Sequence, residues 1–220
     1  MGCRAPPPAF DHPVRLTPAM RVSIFPLSGA VLFPGLQLPL HIFEPRYRAL
    51  VADALARDRR IGMIQPQRAE EGAPLFRMGC LGRIGEVEAL PDGRYNLVLT
   101  GEALFTVTRE LEVVTPFRQI EAELLDDIDD TPLAPVERAG FEREARAFAD
   151  AQGYRVDWGQ VTRLDDRTLI DATAQIAPFD PAAKQALLEA GSLAERCELL
   201  VQLMQFYGAR DSGEDAATLQ

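Results

Sequence analysis

The sequence predicts an α+β protein, with a β-rich first part in the form of a closed or nearly closed small barrel and an all-helical second part. Three observations carry this. Between Arg21 and Leu124, short apolar runs alternate with polar residues at the period of two that marks a half-buried strand. Pro91-Asp92-Gly93 separates two such runs with the residues a tight turn needs. From Val136 onward, apolar residues recur every three or four positions, the spacing of a helix that buries one face. Strands followed by helices is the order of an α+β fold. Closely spaced hairpins favour closure, because a closed sheet has no edges.

The elements follow in order. Residues 1–19 contain Pro6-Pro7-Pro8 and no long apolar run, and read as a flexible lead-in. Arg21 to Leu27 is a strand. Phe33-Pro34-Gly35-Leu36 fits a type II turn, where proline presets φ and glycine takes the positive φ. Leu36 to Ile42 is extended again. Glu44-Pro45 opens an amphipathic helix over 45–58, with Tyr47, Leu50, Val51, Ala54 and Leu55 at helical spacing. Arg60 to Ile64 is a short buried strand, and 65–77 a polar loop. Gly82 to Leu90 and Arg94 to Gly101 form a hairpin. Phe105 and Val107 alternate with threonines, and Ile120, Ala122 and Leu124 alternate with polar residues as in an antiparallel strand.

Composition changes at Asp126–Asp130, which reads as a solvated linker. Val136 to Ala151 is a helix with Phe141, Ala145 and Phe148 on one face. Asp165 or Asp166 caps the next helix, which ends before Pro178, and Asp180-Pro181 starts another that ends by Gly191. Ser192-Leu193-Ala194-Glu195 is a capping box. It opens a last helix with Leu193, Cys197, Leu200 and Met204 on one stripe and a stop at Gly208. The expected organisation is a lead-in over 1–19, a β-rich unit over 20–130, a helical unit over 131–209 and a flexible acidic tail over 210–220.

Charge and cysteine usage narrow the function classes. The net charge of −10 repels phosphate backbones and anionic membranes, so neither nucleic acid nor membrane is an expected partner. Cys3, Cys80 and Cys197 are odd in number and far apart, which suits a reducing cytoplasm better than a disulfide framework. Lys184 is the only lysine, so any chemistry that needs one must use it.

That chemistry is not found. Lys184 follows Ala182-Ala183, so there is no phosphate-cradling loop, and no Gly-x-Ser-x-Gly surrounds a serine. As an early residue of a predicted helix, Lys184 reads as a solvated surface lysine. Cys80 with His41 is the one Cys–His pairing for a hydrolase outside the leading segment. Cys197 on an apolar helix face reads as packing. No Cys-x-x-Cys or His-Glu-x-x-His is present, and Asp126–Asp130 lacks the glycine and spacing of a calcium loop. Catalytic residues, metal and cofactor are all expected to be absent.

Phe25-Pro26-Leu27, Val31-Leu32-Phe33-Pro34-Gly35 and Leu38-Pro39-Leu40-His41-Ile42-Phe43-Glu44-Pro45-Arg46-Tyr47 closely resemble the N-terminal, substrate-binding domain of Lon proteases. Gly82 to Glu88 with Leu90-Pro91-Asp92-Gly93-Arg94-Tyr95 resembles that family's central hairpin. Lys184-Gln185-x-Leu187-Leu188-Glu189 with Arg196 resembles its closing helical region. The resemblance spans about residues 20–208. It implies a PUA-like β-barrel followed by a C-terminal helical bundle, and a non-catalytic module that binds unfolded polypeptide or a protein partner. The chain ends before an ATPase or protease could begin, which implies a stand-alone version that modulates proteolysis, as a monomer or weak homodimer. A PUA-like RNA or small-ligand module is the alternative the fold admits.

The Phe25–Arg48 stretch admits two readings. In one, its prolines and Gly35 set the chain path, Glu44 caps the helix, Arg46 or Arg48 pairs with acids, and the whole closes the barrel. In the other, Leu32, Phe33, Leu36 and Tyr47 stay uncovered as an apolar groove for peptide.

Overall fold

The computed structural model describes residues 19–125 and 131–217. The lead-in (but for residue 19), the Asp126–Asp130 linker and the last three residues lie outside it. The strands are β1 (Met20–Pro26), β2 (Gln37–Ile42), β3 (Arg60–Pro66), β4 (Leu75–Ala89), β5 (Tyr95–Leu111) and β6 (Gln119–Leu124). The helices are α1 (Pro45–Leu55), α2 (Pro135–Ala151), α3 (Trp158–Val161), α4 (Asp166–Ile176), α5 (Pro181–Glu189) and α6 (Leu193–Ala217). The α+β order therefore stands.

The sheet runs β2-β5-β4-β3-β1-β6, and β6 pairs again with β5. That last pairing closes five strands into a barrel. β5 makes closure possible because it is long enough to serve two partners. Its first half, Tyr95–Thr100, pairs with β2, and its second half, from Phe105, pairs with β6. β1 and β3 are parallel, a pairing that obliges the chain to cross over, and α1 lies in that crossover. The hairpin turn forms as its residues require: Gly93 takes φ +82°, and its N–H donates to the Leu90 carbonyl at 2.9 Å.

One large apolar cluster joins barrel and helices. It runs from Phe25, Leu32, Phe33 and Leu99 through Leu50 of α1 to Phe141, Leu169, Leu187, Leu200 and Met204. A smaller cluster of Val22, Ile24, Ile64, Leu81, Phe105, Ile120 and Ala122 belongs to the strands alone. Polar bonds cross the same boundary. Gln65 donates to Pro181 O and Gln185 Oε1, and Gln185 donates to Met78 O.

Several expectations need correction. The helix after Ser192 does not stop at Gly208 but runs on to Ala217, because a helical glycine costs only about 1 kcal/mol and does not itself end a helix. The strands around the hairpin are longer than the turn-bounded runs: Phe76–Leu81 carries apolar residues on both faces, and β5 joins the Arg94–Gly101 run to the alternating Phe105 and Val107. Glu44 occupies the N-cap position of α1 without a side-chain cap. Its carboxylate accepts from Arg46 Nε at 3.0 Å, while its carbonyl accepts from Tyr47 and Arg48. Arg48 reaches the Asp92 carbonyl rather than an acid.

The other caps are where the sequence puts them. Asp165 accepts from the Thr168 N–H and hydroxyl, both at 2.8 Å, and Asp180 from the Ala183 N–H. Ser192 Oγ accepts from the Glu195 N–H, and the Glu195 carboxylate reaches back to the Gly191 N–H. The bonds from Thr168 hold the Asp165 carboxyl below its usual range. A depressed carboxyl contributes stability above its unfolded value, and that stability is lost as pH falls through the folded one. Asp165→Ala is therefore expected to cost about 1 kcal/mol at neutral pH. The gap to the parent protein should shrink once pH falls below about 4. Guanidinium unfolding of both proteins across that range measures it, and a pH-independent gap would contradict the assignment.

Candidate functional site

The Phe25–Arg48 stretch is mostly core. Leu32 is 1% exposed and Phe33 0%, both in the large cluster, and Tyr47 is buried edge-on to Phe25 at 4.4 Å between ring centroids. Leu36 is half-buried against the same cluster. Leu32 and Phe33 therefore offer no surface to a peptide. The turn that carries them lies on β5 and under the helices, which removes its apolar side chains from solvent. Phe33 N–H donates to Gln175 Oε1 at 3.3 Å, and the Arg196 guanidinium lies 4.9 Å over its ring.

The exposed part of the stretch is the strand that follows. In β2 the odd positions Gln37, Pro39 and His41 are exposed, and Leu38, Leu40 and Ile42 turn inward. Phe43 continues the outward set and is 60% exposed, with its ring stacked at 6.2 Å from His41. His41 Nδ1 is 2.7 Å from Asn96 Oδ1 across the ladder. Among the described residues, β2 has one strand partner, β5, so its other edge is open.

Beside that edge lies a cleft of ≈ 560 Å³. β1 supplies Phe25 and Pro26 to it, and β2 and the start of α1 supply Leu40 to Tyr47. The segment between β3 and β4 supplies Ala69 to Gly72. Its floor is apolar and aromatic, and its rim carries Glu44, Glu70, Glu71, Arg46 and Arg118. Arg46 bridges Glu44 and Glu71 and lies 4.6 Å over the Tyr47 ring, and Arg118 pairs with Glu110. Burial raises the Tyr47 phenol above its usual value, so it stays a neutral aromatic wall. A second hollow on the other side shares Pro39, Leu40 and His41 with the first and is lined by Glu86, Glu88 and Asn96.

Cys80 and His41 do not form a catalytic pair. Cys80 is 0% exposed, and burial pushes its thiol far above its ordinary value. Cys80 pairs with Leu104 and His41 with Asn96, positions separated along β5 by roughly 25 Å. The hydrolase reading thereby loses its residues. Burial also pushes the Cys197 thiol up to about 11. Lys184 is not a surface lysine. It is buried, with Nζ donating to the Gln175 carbonyl at 2.8 Å, so it satisfies the C-terminal end of α4. Burial lowers its pKa. Among the described residues, no His, Cys, Asp and Glu side chains gather as a metal site, and no helix is long and apolar enough to cross a membrane.

The model of the ATP-dependent protease La (Lon) substrate-binding domain matches residues 21–205. The chain belongs to the Lon substrate-binding domain family. It is 30% identical over 190 residues to Lon protease 2 of Myxococcus xanthus, covering 82% of this chain and 23% of that one. It is 26% identical over 189 residues to the Lon protease of Methylocella silvestris, with the same coverage. The chain thus spans about a quarter of the length of these curated relatives. Among solved structures, the Lon N-terminal domain protein of Xanthomonas campestris superposes with a TM-score of 0.64 at 22% identity, over 83% of this chain and 98% of that one. The N-terminal domain of the Mycobacterium avium complex Lon protease gives 0.62 at 20% identity, over 84% and 98%.

Within this Lon-type domain, Phe43 and the open edge of β2 are the features that the apolar density of the stretch conceals. Strand parity was the signal available for them. Leu38, Leu40 and Ile42 are in phase, and Phe43 is the apolar residue out of phase, which places it with His41 on the outside.

Proposed function

We propose that this chain is a non-catalytic recognition module that binds exposed apolar segments of unfolded polypeptide in the cleft between β2, the start of α1 and the β3–β4 connection. The observation that carries the reading is the pairing of an exposed aromatic, Phe43, with an apolar cleft large enough for one or two side chains. Membership of a substrate-binding family supports it. Modulation of proteolysis, by presenting or withholding bound segments, follows from the same reading. We propose also a monomer or weak homodimer as the working form, and a cytoplasmic site of action, which suits the free Cys80 and Cys197. The acidic residues on both sides of β2 weigh against the RNA alternative.

Phe43→Ser tests this. The side chain is mostly in solvent, so unfolding free energy should change by no more than about 0.5 kcal/mol. Binding of a reduced, alkylated and fluorescently labelled unfolded protein should weaken about tenfold, as expected when one aromatic anchor is lost. Anisotropy titration reads it. Absence of saturable binding by the parent protein, or equal binding by the variant, would sink the proposal.

A further inference from the structure

The direction of the main-chain groups along β2 can be read from three bonds and one proline. Gly101 N–H donates to the Leu36 carbonyl, so even positions turn their main chain toward β5. Gln175 Nε2 donates to the Gln37 carbonyl from the opposite side, so odd positions turn theirs toward the open edge. Pro39, which has no N–H, sits at an odd position, where β5 asks nothing of it. The edge is thus covered at Gln37 by the helical part. It is open, among the described residues, from Pro39 to His41. There it presents the Pro39 carbonyl and both main-chain groups of His41.

The surroundings of this short edge are acidic. The two hollows that share Pro39, Leu40 and His41 carry five carboxylates, Glu44, Glu70, Glu71, Glu86 and Glu88. Against them stand Arg46 and Arg118, and beside the hollows Arg94, whose Nη1 lies 3.4 Å from His41 Nε2; each is already held in ion pairs. A second copy of this chain, also at net charge −10, would bring like charges together along the paired edges. A cationic segment has the complementary charge.

We infer that β2 takes its ligand as an added strand, and that the favoured ligand is an extended segment in which apolar residues alternate with lysine or arginine. The inference rests on the proposed polypeptide binding and specifies its mode and class. In an added strand, successive side chains face opposite ways. One set enters the apolar cleft at Phe25, Leu40 and Tyr47. The other set stays in solvent, in the negative field of the carboxylates. Such a pattern is that of a basic, half-buried strand exposed by unfolding.

The test uses the full chain and labelled synthetic peptides of about nine residues, long enough to span a strand. The first alternates valine and phenylalanine with lysine. The second carries glutamate in place of lysine. The third is the lysine peptide N-methylated at alternate residues, which removes the N–H groups along one edge. At low salt the lysine peptide should bind at least about tenfold tighter than either other peptide, and the margin over the glutamate peptide should narrow as salt screens it. The His41 amide should become protected from hydrogen exchange when the lysine peptide is bound. Glu70→Lys with Glu86→Lys, both solvent-exposed and outside the ion pairs formed among the described residues, should erase or reverse the preference for lysine. Equal affinity for all three peptides, with the His41 amide unprotected, would overturn the inference while leaving the proposed polypeptide binding intact. Failure of every peptide and of unfolded protein to bind would overturn both. Protection of His41 by self-association, seen as a concentration-dependent dimer in sedimentation, would assign the edge to a second copy and also overturn it.

Discussion

Replacing Arg196 by alanine is expected to cost about 3–5 kcal/mol and to loosen the helices from the barrel together. Arg196 is fully buried, and its guanidinium serves four pieces of structure at once. Nη1 donates to Asp171 Oδ1 of α4 at 2.6 Å, and Nε to the Leu187 carbonyl at 2.8 Å. Nη2 reaches the Ala190 carbonyl just after α5, and the plane covers the Phe33 ring in the barrel turn. The alanine variant leaves a buried carboxylate without its main cation, although Arg167 stays 3.5 Å from Asp171 Oδ2. It also leaves two helix-end carbonyls short of a donor.

The ion pair need not make the fold more stable than an apolar pair would. Arg196→Met combined with Asp171→Leu is therefore expected to recover much of the loss, and the double-mutant cycle should give a coupling above about 2 kcal/mol. Urea unfolding of the parent protein, Arg196→Met, Asp171→Leu and the double variant measures the cycle. Simple additivity would show that the two side chains act separately. The consequence reaches the proposed site through Gln175, which holds both Phe33 N–H and the Gln37 carbonyl. In Arg196→Ala, amide exchange in β2 should rise along with that of α5.

How much of this was legible depends on the range of each interaction. Caps are local, so Asp165, Asp180 and the Ser192–Glu195 box could be read from four consecutive residues each. Strand alternation is local too, and it placed β1, β2 and β6 within a residue or two. Closure of the barrel was legible only as a tendency, because the pairing of β5 with β6 joins residues that nothing in their own sequence links. Burial of Lys184 and Arg196 was hidden for the same reason. Each is a charged residue on a helix, and only the tertiary fold supplies the carbonyls that make burial tolerable. The apolar density of the Phe25–Arg48 stretch drew attention to Leu32 and Phe33, which the fold buries. Leu32 and Phe33 are apolar because they fill the core, and the exposed aromatic is the single residue that breaks the strand's phase.

Gly101→Ala is expected to destabilise the protein by more than about 3 kcal/mol, although alanine is otherwise the mildest of substitutions. A Cβ at position 101 would lie 2.2 Å from the Phe33 carbonyl oxygen and 2.8 Å from its carbon. Neither atom can give way. Gly35 N–H donates to the Gly101 carbonyl and Gly101 N–H to the Leu36 carbonyl, both at 2.9 Å, so the turn is bonded to β5 on both sides of the contact. Gly35 itself takes φ +81° to make that turn. Relief would have to lift the Phe33–Leu36 segment away from β5, which pulls Phe33 from under Arg196 and shifts the start of β2. Gly140→Ala in α2 is the matched control. Its added methyl meets nothing within 4 Å, so it should stabilise by about 0.5–1 kcal/mol through helix propensity alone. Opposite signs for the same chemical change, read from urea midpoints, are the expected result. If Gly101→Ala unfolds within about 1 kcal/mol of the parent protein, the turn does not lie against β5 this closely. The position of the β2 edge would then need another cause.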